Sequence, residues 1–384
     1  MSTAAPIGAL DNYYAGESAR IARAFELTGD GRVAVGQRSE LVVNMVVGLW
    51  RNLFGDEAPG FALGAIGGFG RAELFPHSDI DLLFLCAQPP DAEVKQKIGA
   101  LCRELWDAGL RVSPATRTPN ECDRLDANNI EGALSLLDSR FLAGDAALFR
   151  QLHDELLPRL VRREWQSLVQ GVAELARTRQ DKFGNTIFHL EPNVKECPGG
   201  LRDQHIAGWL ALIAALDKQR SWPERSSLVP PAFQAQFAAA CDFLYAVRCF
   251  LHYRHGRDDN KLTWDAQEQA AARGIGSPSR APADPASWMR AYFHHARGIH
   301  RFMMQVLEDI PSARSSLFQQ FQQWRGRAPR STRWSRPRAC RSIRTRGATC
   351  CCAPRSSRPS SSATTPPRST CTAACSRSHP TISR

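Results

Sequence analysis

Apolar positions in residues 19–27 and 38–54 recur at helical spacing, and the pattern then changes to short continuous apolar runs at 61–66 and 80–84. The first spacing predicts helices that cover a sheet, and the runs predict strands buried on both faces. Residues 91–106 return to helical spacing, with Val94, Ile98, Leu101, Cys102 and Leu105 on one face, and lead to a third strand at 110–113. Helix, strand, turn, strand, helix, strand is the order of a small mixed sheet with helices packed on it. From 121 to about 179 the pattern is helical, with 148–177 forming one long helix or two. Further helices are predicted over 204–218, 231–255, 262–273 and 285–309, with Pro278, Pro282 and Pro285 marking the loop before the last. The expected fold is α+β. A flexible N-terminus (1–16) precedes a mixed-sheet domain (17–130) and an all-helical domain (131–327), and a disordered tail (328–384) follows.

Charge changes this picture only when the chain is divided. The whole sequence carries 49 Lys+Arg against 38 Asp+Glu, net +11, a balance that ordinarily points to nucleic acid or a membrane surface. Residues 328–384 hold twelve arginines and no lysine, aspartate or glutamate, so residues 1–327 carry net −1. No nucleic-acid partner is therefore expected for the folded part. The tail is dominated by Arg, Ser, Pro, Thr and Cys, with too little apolar surface to offset chain entropy. Its acid-free text reads as wrong-frame translation of GC-rich DNA, with a serine/arginine-rich arm as the alternative.

Six of the twelve cysteines fall in that tail, and the run at 350–352 lacks the paired spacing of a zinc site. The other six, Cys86, Cys102, Cys122, Cys197, Cys241 and Cys249, lie mostly among apolar neighbours and read as buried thiols of a reducing compartment. The longest apolar run, 207–216, is about half of the ~20 residues that cross a bilayer, and the first residues lack the pattern of a signal peptide. A cytoplasmic protein without a membrane partner is expected.

The chemistry concentrates in residues 67–85, GGFGRAELFPHSDIDLLFL. Gly67, Gly68 and Gly70 follow the first strand, where the backbone can turn sharply and aim its N–H groups at a phosphate. Ser78, Asp79 and Asp81 enter the second strand. Residues i and i+2 of a strand share a face, so both carboxylates can grip one hard cation such as magnesium while Ile80 and Leu82 turn inward. Either feature alone is weak, but the glycine turn, a spacer containing Arg71 and Ser-Asp-Ile-Asp together form a nucleotidyl-transfer layout. A second patch, 191–203 (EPNVKECPGGLRD), brackets Pro198-Gly199-Gly200 with Lys195 and Arg202, cations suited to a triphosphate or its leaving pyrophosphate. A structural interdomain loop is the alternative for it.

The first motif resembles the DNA polymerase β-like nucleotidyltransferase superfamily. Taken with 131–145, 192–203 and 258–266, it resembles the N-terminal half of the bacterial PII uridylyltransferase/uridylyl-removing enzymes, over residues 20 to about 325. The resemblance implies transfer of UMP from UTP to a tyrosine of the nitrogen-regulatory PII protein. Gly67 and Gly68 would hold the UTP phosphates, Asp79 and Asp81 the magnesium, and Arg71, Ser78, Lys195 and Arg202 would complete the nucleotide site. Another nucleotidyltransferase, for example an adenylyl-transferring one, and an inactive truncated chain are the alternatives.

Three departures accompany the resemblance. The superfamily's third carboxylate has no counterpart on the third strand, which offers Arg111, and nothing in the sequence positions the nearby Glu121 or Asp123. The family's Val-Gly-His-Ser-Val-Arg-Thr-like stretch is Val-Ser-Pro-Ala-Thr-Arg-Thr at 112–118. The family continues into a metal-dependent HD phosphohydrolase and two ACT domains, where this chain has its tail; His153-Asp154 and His294-His295 read as helix residues rather than ligands.

Overall fold

A computed structural model of the chain describes residues 7–309 apart from 127, 128 and 220. The tail at 328–384 and the readings made of it lie outside the described residues. The described residues form one compact unit.

Two long helices open the fold, α1 (Ile7–Thr28) and α2 (Gly31–Phe54). The first begins well ahead of the periodicity at 19, within the stretch expected to be flexible. The Asp30 carboxylate caps α2 by accepting from Val33 N–H at 3.0 Å. The chain then forms β1 (Phe61–Ala65), a single helical turn α3 (Gly67–Gly70), β2 (Ile80–Cys86), α4 (Ala92–Asp107) and β3 (Val112–Arg117). A short α5 (Pro119–Cys122) and α6 (Ile130–Leu137) lead to β4 (Arg140–Gly144).

The sheet runs β3-β2-β1-β4. β1 is antiparallel to both neighbours, and β2 pairs with β3 in parallel, with Asp81 opposite Ser113. The sheet is thus mixed, as expected, but two details differ. β3 lies a few residues later than 110–113, because Gly109, at φ +81°, and Leu110 still close the end of α4. β4 falls within a stretch that reads as helical. It is an edge strand with only Ala143 buried, so it carries no alternation by which a strand could be recognised.

The rest is helical: α7 (Ala146–Arg150), a π-type stretch (Gln151–Leu156), α8 (Leu157–Arg163), α9 (Trp165–Lys182), α10 (Leu201–Gln219), a 3₁₀ turn (Arg225–Leu228), α11 (Pro231–His255), α12 (Trp264–Ala272) and α13 (Pro285–Asp309). Residues 148–177 are therefore divided among four segments rather than one or two helices.

Strand alternation splits the core in two. Ile80, Leu82 and Phe84 face a cluster built from α2, α4, α11 and α13, including Val42, Trp50, Leu101, Leu244 and Tyr292. Leu83 and Leu85 face the other way, against Leu134, Leu160, Val172, Leu210 and Met303. Both clusters draw residues from either side of residue 130. Asp81 shares the face of Leu83 and Leu85 by this alternation, so it points to the side where the later helices pack. The six cysteines at 86, 102, 122, 197, 241 and 249 are all buried free thiols. No helix among the described residues is long and apolar enough to cross a membrane.

Candidate nucleotidyl-transfer site

The glycine run after β1 is a turn of helix rather than an open loop. Gly67 has φ +56°, and a Cβ there would lie 3.1 Å from Asp81 Oδ2. A glycine at 67 therefore admits the backbone conformation and leaves room for the carboxylate together. Ile66 N–H donates to the Asp81 carbonyl at 3.1 Å, which ties the turn to the start of β2, and no side chain caps the N-terminus of α3. Between α3 and β2, Ala72 and His77 also take positive φ, the kind of local strain that persists only where the surroundings impose it.

Gly67, Gly68, Arg71, Ser78, Asp79, Asp81, Lys195 and Arg202 all line one cavity of about 350 Å³. The two carboxylates sit in different surroundings. Asp79, just ahead of β2 and half exposed, accepts from Arg111 Nε at 2.8 Å. Arg111 also donates to the His77 carbonyl and stands 3.5 Å from Asp258. The Asp81 carboxylate has no hydrogen-bond or ion-pair partner among the described residues. Burial, and then the charge of Asp79, push it up to about 6. A carboxylate pair with one member uncompensated and both facing an open cavity fits a hard divalent cation, which usually takes one or two carboxylates and completes its shell with phosphate and water.

The β2–β3 register puts Ser113, not an acid, beside Asp81. Glu121 is engaged in a capping box with Thr118, and Asp123 is held by Arg159 and Arg163. Among the described residues no group of three His, Cys, Asp or Glu is arranged to hold a metal. His153 pairs with Asp154 at 2.7 Å and stacks on Trp222, while His295 stacks on Phe243.

The 191–203 loop is held by bonds within itself and to residue 260. Asn193 Oδ1 accepts from the N–H groups of Lys195 and Glu196, and Val194 N–H donates to the Asn260 carbonyl. Lys195 and Arg202 reach the cavity, but the glycines between them do not line it. Gly199, at φ +79°, lies where a Cβ would come within 2.4 Å of the Ala296 carbonyl oxygen on α13. Its role is close packing, and phosphate contact from this loop falls to the two cations. Asp203 anchors the start of α10. Its burial opposes ionisation, but His300 and Arg179, with the Gly199 N–H, hold it below the usual carboxylate range.

Arg71 lines the cavity with its charge already taken. It bonds Asp138, and its Nε donates to Glu73 Oε2 at 2.8 Å. Burial opposes its charge, but Asp138 and Glu73 hold it protonated. Glu73 accepts further from Tyr245 Oη at 2.6 Å and contacts His205 Nε2 at 3.0 Å, and Trp209 Nε1 donates to Asp138 at 2.9 Å. His205 is driven down to about 4 by burial and then by Arg71, so it is neutral, with Nε2 facing the Glu73 carboxylate. This network joins the turn after β1 to α10 and α11.

Residues outside the two motifs also line the cavity, among them Glu131, Ser135, His205, Trp209, Arg248 and Asp258. Arg248 left one trace in the sequence, as a single charge in the apolar run 243–251.

Residues 168–307 match the family model described as GlnD PII-uridylyltransferase. Proteins described as bifunctional uridylyltransferase/uridylyl-removing enzymes are similar to this chain. The one from Cereibacter sphaeroides is 37% identical over 240 residues, 62% of this chain and 26% of the relative. The one from Haemophilus influenzae is 34% identical over 263 residues, 66% and 30%. The one from Methylococcus capsulatus is 32% identical over 278 residues, 71% and 31%. The chain thus spans about a quarter to a third of the length of these relatives. Over the matched residues the chain is similar to the PII-uridylyltransferase family.

Proposed function

We propose that this cleft moves UMP from UTP to a tyrosine of a PII signalling protein and releases pyrophosphate. One observation carries the reading. The Asp79–Asp81 pair with Asp81 uncompensated, the Gly67 turn and the cations Lys195 and Arg202 share a single cavity, so a triphosphate can meet both carboxylates and positive charge there.

Asp79 and Asp81 would hold magnesium, which when bound supplies positive charge to the α-phosphate and to the carboxylates. The turn at Gly67 and Gly68 brings backbone close to the phosphates without a side chain intervening. The tyrosine oxygen attacks the α-phosphorus as its proton passes to solvent, and the bond from that phosphorus to the α,β-bridging oxygen breaks, with pyrophosphate leaving. Lys195 and Arg202 hold the departing pyrophosphate charge. Arg71 acts through the wall, by fixing Glu73 and Asp138 behind the turn.

The test incubates the chain with purified PII trimer and UTP labelled at the α- or the γ-phosphate. Label should pass to PII from the α position only, and ATP should not substitute. Absence of labelled PII, or equal transfer from ATP, would overturn the proposal.

A further inference from the structure

Arg248 is 5% exposed, inside the apolar stretch of α11. Its guanidinium carbon lies 4.2 Å from the Phe75 ring centroid, and its Nε donates to Asn260 Oδ1 at 2.8 Å. Nη1 and Nη2 have no hydrogen-bond or ion-pair partner among the described residues, and the side chain lines the cleft. Asp258, Glu73 and Glu196 act on it only at a distance, and a cation withdrawn from water without a carboxylate in ion-pair contact is costly, by several kcal/mol, until a counter-charge arrives.

Its neighbours sharpen the imbalance. Lys195 and Arg202 share the single Glu196 carboxylate at 3.9 and 3.5 Å. Burial, then Arg248 and Arg202, hold Lys195 below the ordinary lysine range, and burial brings Arg248 down to about 10. Lys195 is among the charges felt at Asp81, and Arg248 among those felt at Lys195. Lys195, Arg248 and the carboxylate pair line the same cavity.

We propose that Arg248 is a phosphate-binding residue of this cleft, its two free Nη groups forking onto the terminal phosphates of a nucleoside triphosphate while Asn260 and Phe75 hold the guanidinium plane. A planar fork matches phosphate bidentately, which a lysine cannot do. The assignment of the ligand as a nucleotide rests on the transfer reading above; the assignment of an oligophosphate anion does not.

The experiment measures binding of inorganic pyrophosphate, orthophosphate and UMP to the full chain by calorimetry in EDTA, comparing wild type with Arg248→Met and Arg248→Lys. Arg248→Met should weaken pyrophosphate about tenfold or more and leave UMP within about twofold, with Arg248→Lys between the two. Unchanged pyrophosphate affinity would overturn the proposal, as would an equal loss for UMP, which would indicate only a general electrostatic field. Should circular dichroism show Arg248→Met unfolded, Arg248→Lys decides alone: a loss of about threefold or more is expected, and none overturns the proposal. Pyrophosphate binding through Arg248 in a protein that transfers no UMP would refute the transfer reading and leave this residue's role intact.

Discussion

Gly67 and Asp81 occupy adjoining space across the start of the sheet: a Cβ on the glycine would stand 3.1 Å from Asp81 Oδ2. The two halves of the motif are therefore one object, a turn shaped around a carboxylate. Gly67→Ala should cost about 1–2 kcal/mol in urea unfolding, because φ +56° is strained for alanine. It should also lower divalent-cation affinity by pressing on Asp81. Wild-type values for both quantities would show that the turn tolerates a side chain.

Asp79→Asn and Asp81→Asn should each reduce UMP transfer at least about 100-fold while leaving the circular dichroism spectrum unchanged. A variant retaining more than a tenth of wild-type transfer would remove that residue from the site.

The Asp81 carboxyl, pushed up to about 6 by burial and Asp79, has a definite pH signature. It holds its proton more tightly folded than unfolded, so its contribution to stability is present below its unfolded value near 3.9 and is lost as pH rises through about 6. In metal-free buffer at pH 7, Asp81→Asn should therefore be more stable than wild type, on the order of 1–3 kcal/mol. Mn²⁺ affinity followed by electron paramagnetic resonance should fall about tenfold per pH unit below 6. A flat profile from pH 5 to 7 would contradict the assignment.

Arg71 and Asp138 should behave as parts of the framework. Asp138→Asn leaves Arg71 buried beside one carboxylate fewer and should cost about 3–5 kcal/mol in denaturant. If activity fell with stability unchanged, Arg71 would instead be a direct phosphate ligand.

Lys195→Met and Arg202→Met should raise the KM for UTP about tenfold each with little change in fold, since both side chains reach the cavity and share one distant carboxylate. Inhibition by added pyrophosphate should weaken in parallel; unaltered KM and inhibition would leave the loop with a structural role alone.

Legibility along the chain followed burial. β2 could be read because its apolar run is buried on both faces, and 231–255 and 285–309 because proline begins each helix and the apolar spacing persists. β4 could not, since an edge strand with one buried residue has no pattern. The reason for glycine at 199 and 200 was not legible either, since it is packing against α13 and the loop's own carbonyls. The partners of Arg71 were not legible for a related reason: a cation in a motif looks available until Asp138, 67 residues away, is seen beside it.

The sequence by itself determined the local chemistry: two carboxylates two residues apart on a strand, a glycine turn before them, and a cationic loop. Strand periodicity and backbone conformation act over a few residues, so they are written in the order of residues. The tertiary structure alone decided which charges are free. Arg71 is neutralised by residues 73 and 138, Asp79 is paired with Arg111, and the Asp81 carboxylate and the Arg248 Nη groups have no hydrogen-bond or ion-pair partner among the described residues. Burial and Coulomb interactions depend on distance in space, and α10 and α11 reach the site only through the folding of the whole unit.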